Sequence, residues 1–169
     1  MLFRSLPAVP PTIESKLKEV SVRLRDSLQS NTTYTIQFGN AIKDYNEGNV
    51  LKNFRFTFST GKQLDSGRIK GKLVLAETGK PDSTLIAVLH RSADDSAIVK
   101  ERPAYITRLN GKGEFLFEQL PDRPFYLYAL KDDGGLRRLM GSDARVAFAD
   151  SAIRPAETPE PITLYAFDL

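Results

Sequence analysis

Two short segments in the first half of the chain alternate apolar and polar side chains. Every second residue is apolar in residues 34–38 and again in residues 54–58. A period of two sends alternate side chains to opposite faces of a β-strand, so each segment has one apolar and one polar face. A loop with acidic, Asn and Gly residues separates them. This pattern predicts two paired strands belonging to a β-sandwich.

Residues 12–24 fit two patterns. Ile13, Leu17, Val20 and Leu24 fit a helical stripe, whereas Val20, Val22 and Leu24 fit a strand. Two prolines come before the segment and its valines are β-branched, which favours the strand. We therefore predict a hairpin with its turn near residues 16–19.

The segment that leads into residue 34 has the form of a tyrosine corner. In Greek-key sandwiches, a Tyr near the start of a strand bonds back to backbone a few residues upstream. Tyr34 has this position, and Leu28 lies where it could close the end of the sandwich. The alternative is an ordinary loop followed by a strand that starts with Tyr. We favour the corner.

A second series of strands follows a short linker at residues 61–66. Residues 85–89 are apolar on both faces, which predicts a central buried strand. Residues 131–145 are polar and Gly-rich, and we expect a long loop there. The other predicted strands lie near residues 69–73, 105–108, 115–117, 125–130, 146–148 and 162–167. Short strands with regular turns between them indicate a sandwich.

Two families share motifs with these segments. Asp44, Gly48 and Asn49, together with Phe-Thr-Phe-Ser-Thr-Gly at residues 56–61, resemble the end of a bacterial Ig-like domain. Residues 67–130 resemble the prealbumin-like sandwich called the carboxypeptidase regulatory-like domain. The motifs that carry this second resemblance are Gly-Lys-Leu at 71–73, Thr-Gly-Lys-Pro at 78–81, Gly-Glu-Phe at 113–115 and Leu-Pro at 120–121.

The tandem order of these motifs is similar to that of Ig-like envelope proteins from Bacteroidetes, which are often lipoproteins. The resemblance implies an all-β chain of two tandem antiparallel Greek-key β-sandwiches. Residues 1–62 would be a partial bacterial Ig-like domain, truncated at its N-terminus, and residues 63–169 the prealbumin-like domain. An Ig-like domain has about 100 residues, so we expect the chain to be a fragment of a longer protein.

Composition excludes several functional classes. The chain has no cysteine, which removes disulfides, thiolate catalysis and Cys-based zinc sites. Its net charge of +3 is spread along the sequence and not clustered as a nucleic-acid footprint would be. No apolar run is long enough to span a membrane, and residues 1–11 have no apolar run of signal-peptide length.

One loop carries candidate metal ligands. Asp44, Asn46 and Glu47 could supply oxygens to calcium, which takes six to eight such ligands. The loop lacks the distal bidentate Glu of an EF-hand. The alternative is a loop held by side-chain-to-backbone hydrogen bonds, with Gly48 supplying a positive φ. Apart from calcium, we expect no cofactor.

The remaining chemistry-bearing residues favour structural roles. Asp94-Asp95 and Asp132-Asp133 lie on turns, where neighbouring carboxylates usually face solvent, and not across a cleft as in glycosidases. His90 is the only histidine, and we expect it to cap or rim a buried strand.

Aromatic residues divide into core and surface candidates. Phe54, Phe56 and Phe58 could form a sugar-binding platform, but we predict that they are core. Tyr126 and Tyr128 are the better candidates for a ligand surface, because they face away from Phe125 and Leu127.

These observations predict no catalytic residues and no enzyme. We expect a structural or adhesion module of a secreted or surface-anchored bacterial envelope protein, whose partners would be envelope proteins or glycans. One alternative is a glycan- or calcium-binding module that uses loops at the end of a sandwich. Another is an appendage domain of an extracellular hydrolase.

Overall fold

Strands are the main regular secondary structure of the computed structural model, which describes residues 2–3, 11–25, 27–132, 134–141 and 144–169. The chain divides into two units, Met1–Leu64 and Asp65–Leu169. Helix is confined to the four-residue α1, Ala97–Lys100, and a 3-10 turn, Pro155–Glu157, in the described part of the chain. The predicted all-β sandwich class is therefore confirmed. No helix among the described residues is long and apolar enough to cross a membrane.

The first unit contains a three-stranded antiparallel sheet and a separate hairpin. The sheet has the order β1 (Leu2–Phe3), β4 (Thr33–Gly39), β5 (Phe54–Ser59). The hairpin joins β2 (Thr12–Lys16) to β3 (Glu19–Arg23). Its turn falls where the sequence predicts it, so the strand interpretation of residues 12–24 is confirmed over the helical one.

The predicted tyrosine corner is present. The backbone N–H of Gln29 donates a hydrogen bond of 2.9 Å to the hydroxyl of Tyr34, five residues downstream. The Tyr34 ring is buried and stacks on Phe58 of the neighbouring strand, with ring centroids 5.6 Å apart. The corner thus fixes the loop that enters β4 to the start of that strand.

The prediction that all three phenylalanines of β5 are core is wrong. Phe56 is 52% exposed and Phe54 is 38% exposed. Phe56 lies opposite Ile36, which is buried, so both side chains are on the same face of the sheet. β5 is the last strand in the sheet order, and the side chains of an edge strand have a neighbouring strand on one side only. The alternating pattern therefore predicts correctly which side chains share a face of the sheet, but it does not show whether other residues pack over that face.

The second unit is one sheet of seven strands. Their order across the sheet is β8-β7-β10-β11-β12-β6-β9. In chain order the strands are β6 (Gly67–Leu75), β7 (Ile86–His90), β8 (Tyr105–Arg108), β9 (Glu114–Leu120), β10 (Tyr126–Leu130), β11 (Arg145–Phe148) and β12 (Ile162–Asp168). Between β10 and β11, the described residues contain no strand or helix, as predicted for the loop at 131–145.

One strand pair departs from the antiparallel prediction. The last strand, β12, runs parallel to the first, β6, with Leu164 opposite Leu73. All the other pairs in this sheet are antiparallel. A parallel neighbour requires a crossover connection, and here the five intervening strands and their loops supply it.

The core of this unit lies on the inward faces of strands from both ends of the sheet. It includes Leu89, Phe117 and Leu127, each no more than 1% exposed. β7 contributes Ala87 and Leu89, which confirms the predicted buried strand. A Cβ atom built on Gly71 would overlap the ring of Phe115 and the carbonyl oxygen of Ile162. This glycine therefore lets β6 pack closely between its two neighbours.

Candidate functional site

Aromatic side chains line a groove on the outer face of this sheet. Tyr126 and Tyr128 of β10 project away from the core, because the alternating residues Phe125 and Leu127 are buried inward. Phe148 of β11 and Phe167 of β12 complete the aromatic lining, and their rings meet edge to face at 5.9 Å. The groove has a volume of about 520 Å³.

The ends of the groove are polar. Asp95 lies just before α1, and Asp150 and Ser151 follow β11. Burial raises the pKa of Tyr128, and the negative charge of Asp95 raises it further. The hydroxyl of Tyr128 therefore stays protonated and neutral at ordinary pH.

His90 lies beneath this aromatic surface. It is 1% exposed, and its ring meets the ring of Tyr128 edge to face at 5.7 Å. No hydrogen-bond partner of the buried Nε2 atom is found among the described residues. Burial lowers the pKa of His90 to about 4, because the charged form is poorly solvated there. His90 ends a buried strand, as predicted. The predicted rim position is wrong, because His90 lies opposite Tyr126 on the outer face of the sheet and is covered there.

An ion-pair network lies at the start of β11. Arg145 donates two hydrogen bonds to Asp168 and one of 3.0 Å to Asp82. Burial raises the pKa of Asp82, but hydrogen bonds from Thr84 and Arg145 outweigh this and leave the pKa lowered. This network ties the loop after β6 to β11 and the end of β12, which is a structural role.

The candidate calcium ligands lie in an exposed loop that closes on itself. Asp44 Oδ2 accepts a hydrogen bond of 2.9 Å from the backbone N–H of Glu47. Glu47 Oε2 accepts one of 2.8 Å from the Asn49 side chain, and Gly48 has φ of +71°. These contacts match the alternative of a loop held by side-chain-to-backbone bonds. No group of three His, Cys, Asp or Glu side chains arranged for a metal occurs among the described residues. Calcium binding through Asp44, Asn46 and Glu47 stays a prediction.

The two acidic pairs serve turns. Asp94 Oδ1 accepts a hydrogen bond of 2.8 Å from the backbone N–H of Ser96, which lowers the pKa of Asp94 and starts the turn into α1. Asp132 accepts one from the backbone N–H of Arg137. Asp133 lies outside the described residues. Of Asp94, Asp95 and Asp132, which are described, only Asp95 lines the groove.

The sequence identified part of the groove and missed the rest. Tyr126 and Tyr128 were predicted to face a ligand surface, and both line the groove. Phe148, Phe167 and Asp150 were not singled out. The missed signal is a small inward residue followed by a large outward ring, which occurs at Ala147-Phe148 and again at Ala166-Phe167.

Comparison with known families gives one match. Residues 4–60 match the model of the bacterial Ig-like domain family. The match covers about a third of the chain and lies within the unit that contains β4 and β5. It supports the Ig-like resemblance of that segment. Comparisons with curated proteins and with solved structures gave no match.

Proposed function

We propose that this chain is a non-catalytic structural or adhesion module of a secreted or surface-anchored bacterial envelope protein. The observation that carries the proposal is the match of residues 4–60 to the bacterial Ig-like domain family, since the resemblance to such domains implies an envelope protein. The proposed parent protein is a Bacteroidetes lipoprotein. Its partners would be envelope proteins or glycans.

We also propose that the second unit is a prealbumin-like, carboxypeptidase regulatory-like sandwich. Three glycines of the motifs that carry this resemblance occupy positions in the sheet or its turns where glycine is favoured. Gly71 has no room for a Cβ atom between β9 and β12. Gly79 turns at φ +67°, and Gly113 turns at φ +74°, where an added Cβ atom would overlap the carbonyl oxygen of Leu73.

The test of an envelope role is the location of the full-length protein in its host. Intact cells are treated with a protease, and the remaining protein is followed with an antibody against residues 65–169. Loss of the signal from intact cells, with a cytosolic enzyme untouched, is the expected result. Protection in intact cells together with recovery in the cytosolic fraction would refute the proposal.

Calcium binding by the loop at Asp44 has a separate test. Calorimetric titration with millimolar calcium, repeated on Asp44→Asn, measures it directly. If the loop binds calcium, the wild-type protein gives heat and a higher melting temperature, and the variant gives neither. Absence of heat in the wild-type protein would establish that the loop is held by its own hydrogen bonds.

A further inference from the structure

We propose that the groove on the outer face of the second unit binds a small organic cation that carries an alkylated ammonium group. The aromatic rings of Tyr126, Tyr128, Phe148 and Phe167 would contact the cation. Asp95 and Asp150 would supply the opposite charge. This site goes beyond a structural or adhesion role, and it combines a sheet face with the segments before α1 and after β11.

The rings come from three neighbouring strands and share one side of the sheet. Tyr128 lies opposite Phe148 in the pairing of β10 with β11. Val146, two residues before Phe148, lies opposite Phe167 in the pairing of β11 with β12. Phe148 is 49% exposed, so much of its surface is open to a ligand. Aromatic faces attract cations through their quadrupole, most strongly where the cation is weakly hydrated.

The dimensions of the groove fit a small molecule. Sites for small ligands usually have volumes of about 300–1,000 Å³ and are lined mainly by apolar and aromatic groups with a few polar ones. At about 520 Å³, the groove is within this range, and Ile98, Leu139 and Val146 supply further apolar lining. An alkylammonium compound matches this balance, because its methyl groups are apolar and its charge is spread over them.

The negative charge of the side chains that line the groove favours a positively charged ligand. The charged side chains that line it are Asp95 and Asp150, and no lysine or arginine is among the described lining residues. The chain as a whole carries +3, so this acidic lining differs from the average surface. Asp95 is close enough to Tyr128 for its charge to act on that hydroxyl. The carboxylate and an aromatic wall therefore act on the same space.

Neutral and anionic ligands fit these residues less well. An anion would be repelled by both carboxylates. A neutral sugar can donate hydroxyl hydrogen bonds to Asp95 and Asp150, but it leaves their negative charge unneutralised. A cation compensates that charge directly. A sugar remains the main competitor because exposed aromatic rings also stack on sugar rings.

The experiment compares choline with its neutral isostere 3,3-dimethylbutan-1-ol and with maltotriose on the full chain. Binding is followed by NMR titration of backbone amides. We expect saturable shifts with choline in β10, β11 and β12, and no saturation with the other two compounds. Raising the salt concentration should weaken choline binding, since the carboxylates contribute.

Two variants in the groove and one outside it complete the test. Phe148→Ala and Asp95→Asn should each weaken choline binding roughly two- to fivefold. Phe56→Ala is the matched control, because Phe56 is a similarly exposed phenylalanine in the first unit, and it should leave the affinity unchanged. The amide spectrum of each variant shows whether it is folded, and Asp95→Asn changes an exposed side chain. Equal binding of the neutral isostere, binding of maltotriose alone, or no effect of either groove variant would overturn the proposal.

Discussion

Burial of the only histidine predicts a specific dependence of stability on pH. His90 is enclosed in the second unit with a pKa of about 4, whereas a histidine in an unfolded chain has a pKa of about 6.5. Below pH 6.5, the unfolded state therefore binds a proton that the folded state does not. The stability that neutral, buried His90 contributes is therefore fully present above pH 6.5, and it is lost as the pH falls from there towards 4.

The size of this loss follows from the two pKa values. Between pH 7 and pH 5, the free energy of unfolding should fall by about 2 kcal/mol. For a unit of this size, that corresponds to a drop of about 10 °C in melting temperature. Carboxylates titrate mostly below pH 5 and the chain has no second histidine, so this interval reports on His90.

Urea unfolding at pH 7, 6, 5.5 and 5, followed by circular dichroism, measures the loss. His90→Phe keeps an aromatic ring beside Tyr128 and should remove the dependence over this interval; His90→Gln serves if the first variant does not fold. The NMR signal of the single imidazole gives the folded pKa directly. Equal stability of the wild-type protein at pH 7 and pH 5, or an imidazole that titrates near 6.5 in the folded protein, would refute the reasoning.

Five further substitutions test side-chain packing, the tyrosine corner and the close approach of strands. Phe117→Ala should cost about 3–5 kcal/mol because the ring is fully buried. Phe56→Ala should cost only about 1 kcal/mol, since about half of that ring is already exposed. Equal losses in urea unfolding would contradict this assignment. Tyr34→Phe removes the acceptor of a backbone N–H and should cost about 0.5–1.5 kcal/mol; an unchanged midpoint would show that the corner is not stabilising. Gly71→Ala should cost about 1–3 kcal/mol through overpacking, whereas Gly111→Ala, with open space around it, should be nearly neutral. Similar melting temperatures for these two glycine variants would be the contrary result.

Most of the strands were predicted from the local periodicity of apolar residues. Alternation identified β4, β5 and strands of the second unit such as β6 and β10, because a period of two is a property of the backbone itself. β7 was identified instead by its continuous apolar run. The turn between β2 and β3 and the corner at Tyr34 were also predictable, since both depend on residues close in sequence. The four-residue α1 was not predictable, because it is too short for a helical period to show.

Sequence periodicity could not predict whether a given face of a sheet is packed against other residues or exposed to solvent. Phe56 and Phe117 have the same local pattern, yet one is half exposed and the other buried. The difference arises from what packs over each sheet, which depends on contacts distant in sequence. His90 shows the opposite error, because a strand end expected at the rim lies on a covered part of the outer face.

The outward aromatic residues of the second unit are not explained by its core. Ala129, Ala147 and Ala166 lie side by side across β10, β11 and β12, and all three are buried inward. These small side chains fill the space between the sheet and the opposing strands, so the core is complete without the large rings on the other side. On that side Phe148 and Phe167 pack edge to face against each other, and both rings stay partly exposed. The proposed ligand in the groove would cover the part of these rings that this contact leaves open.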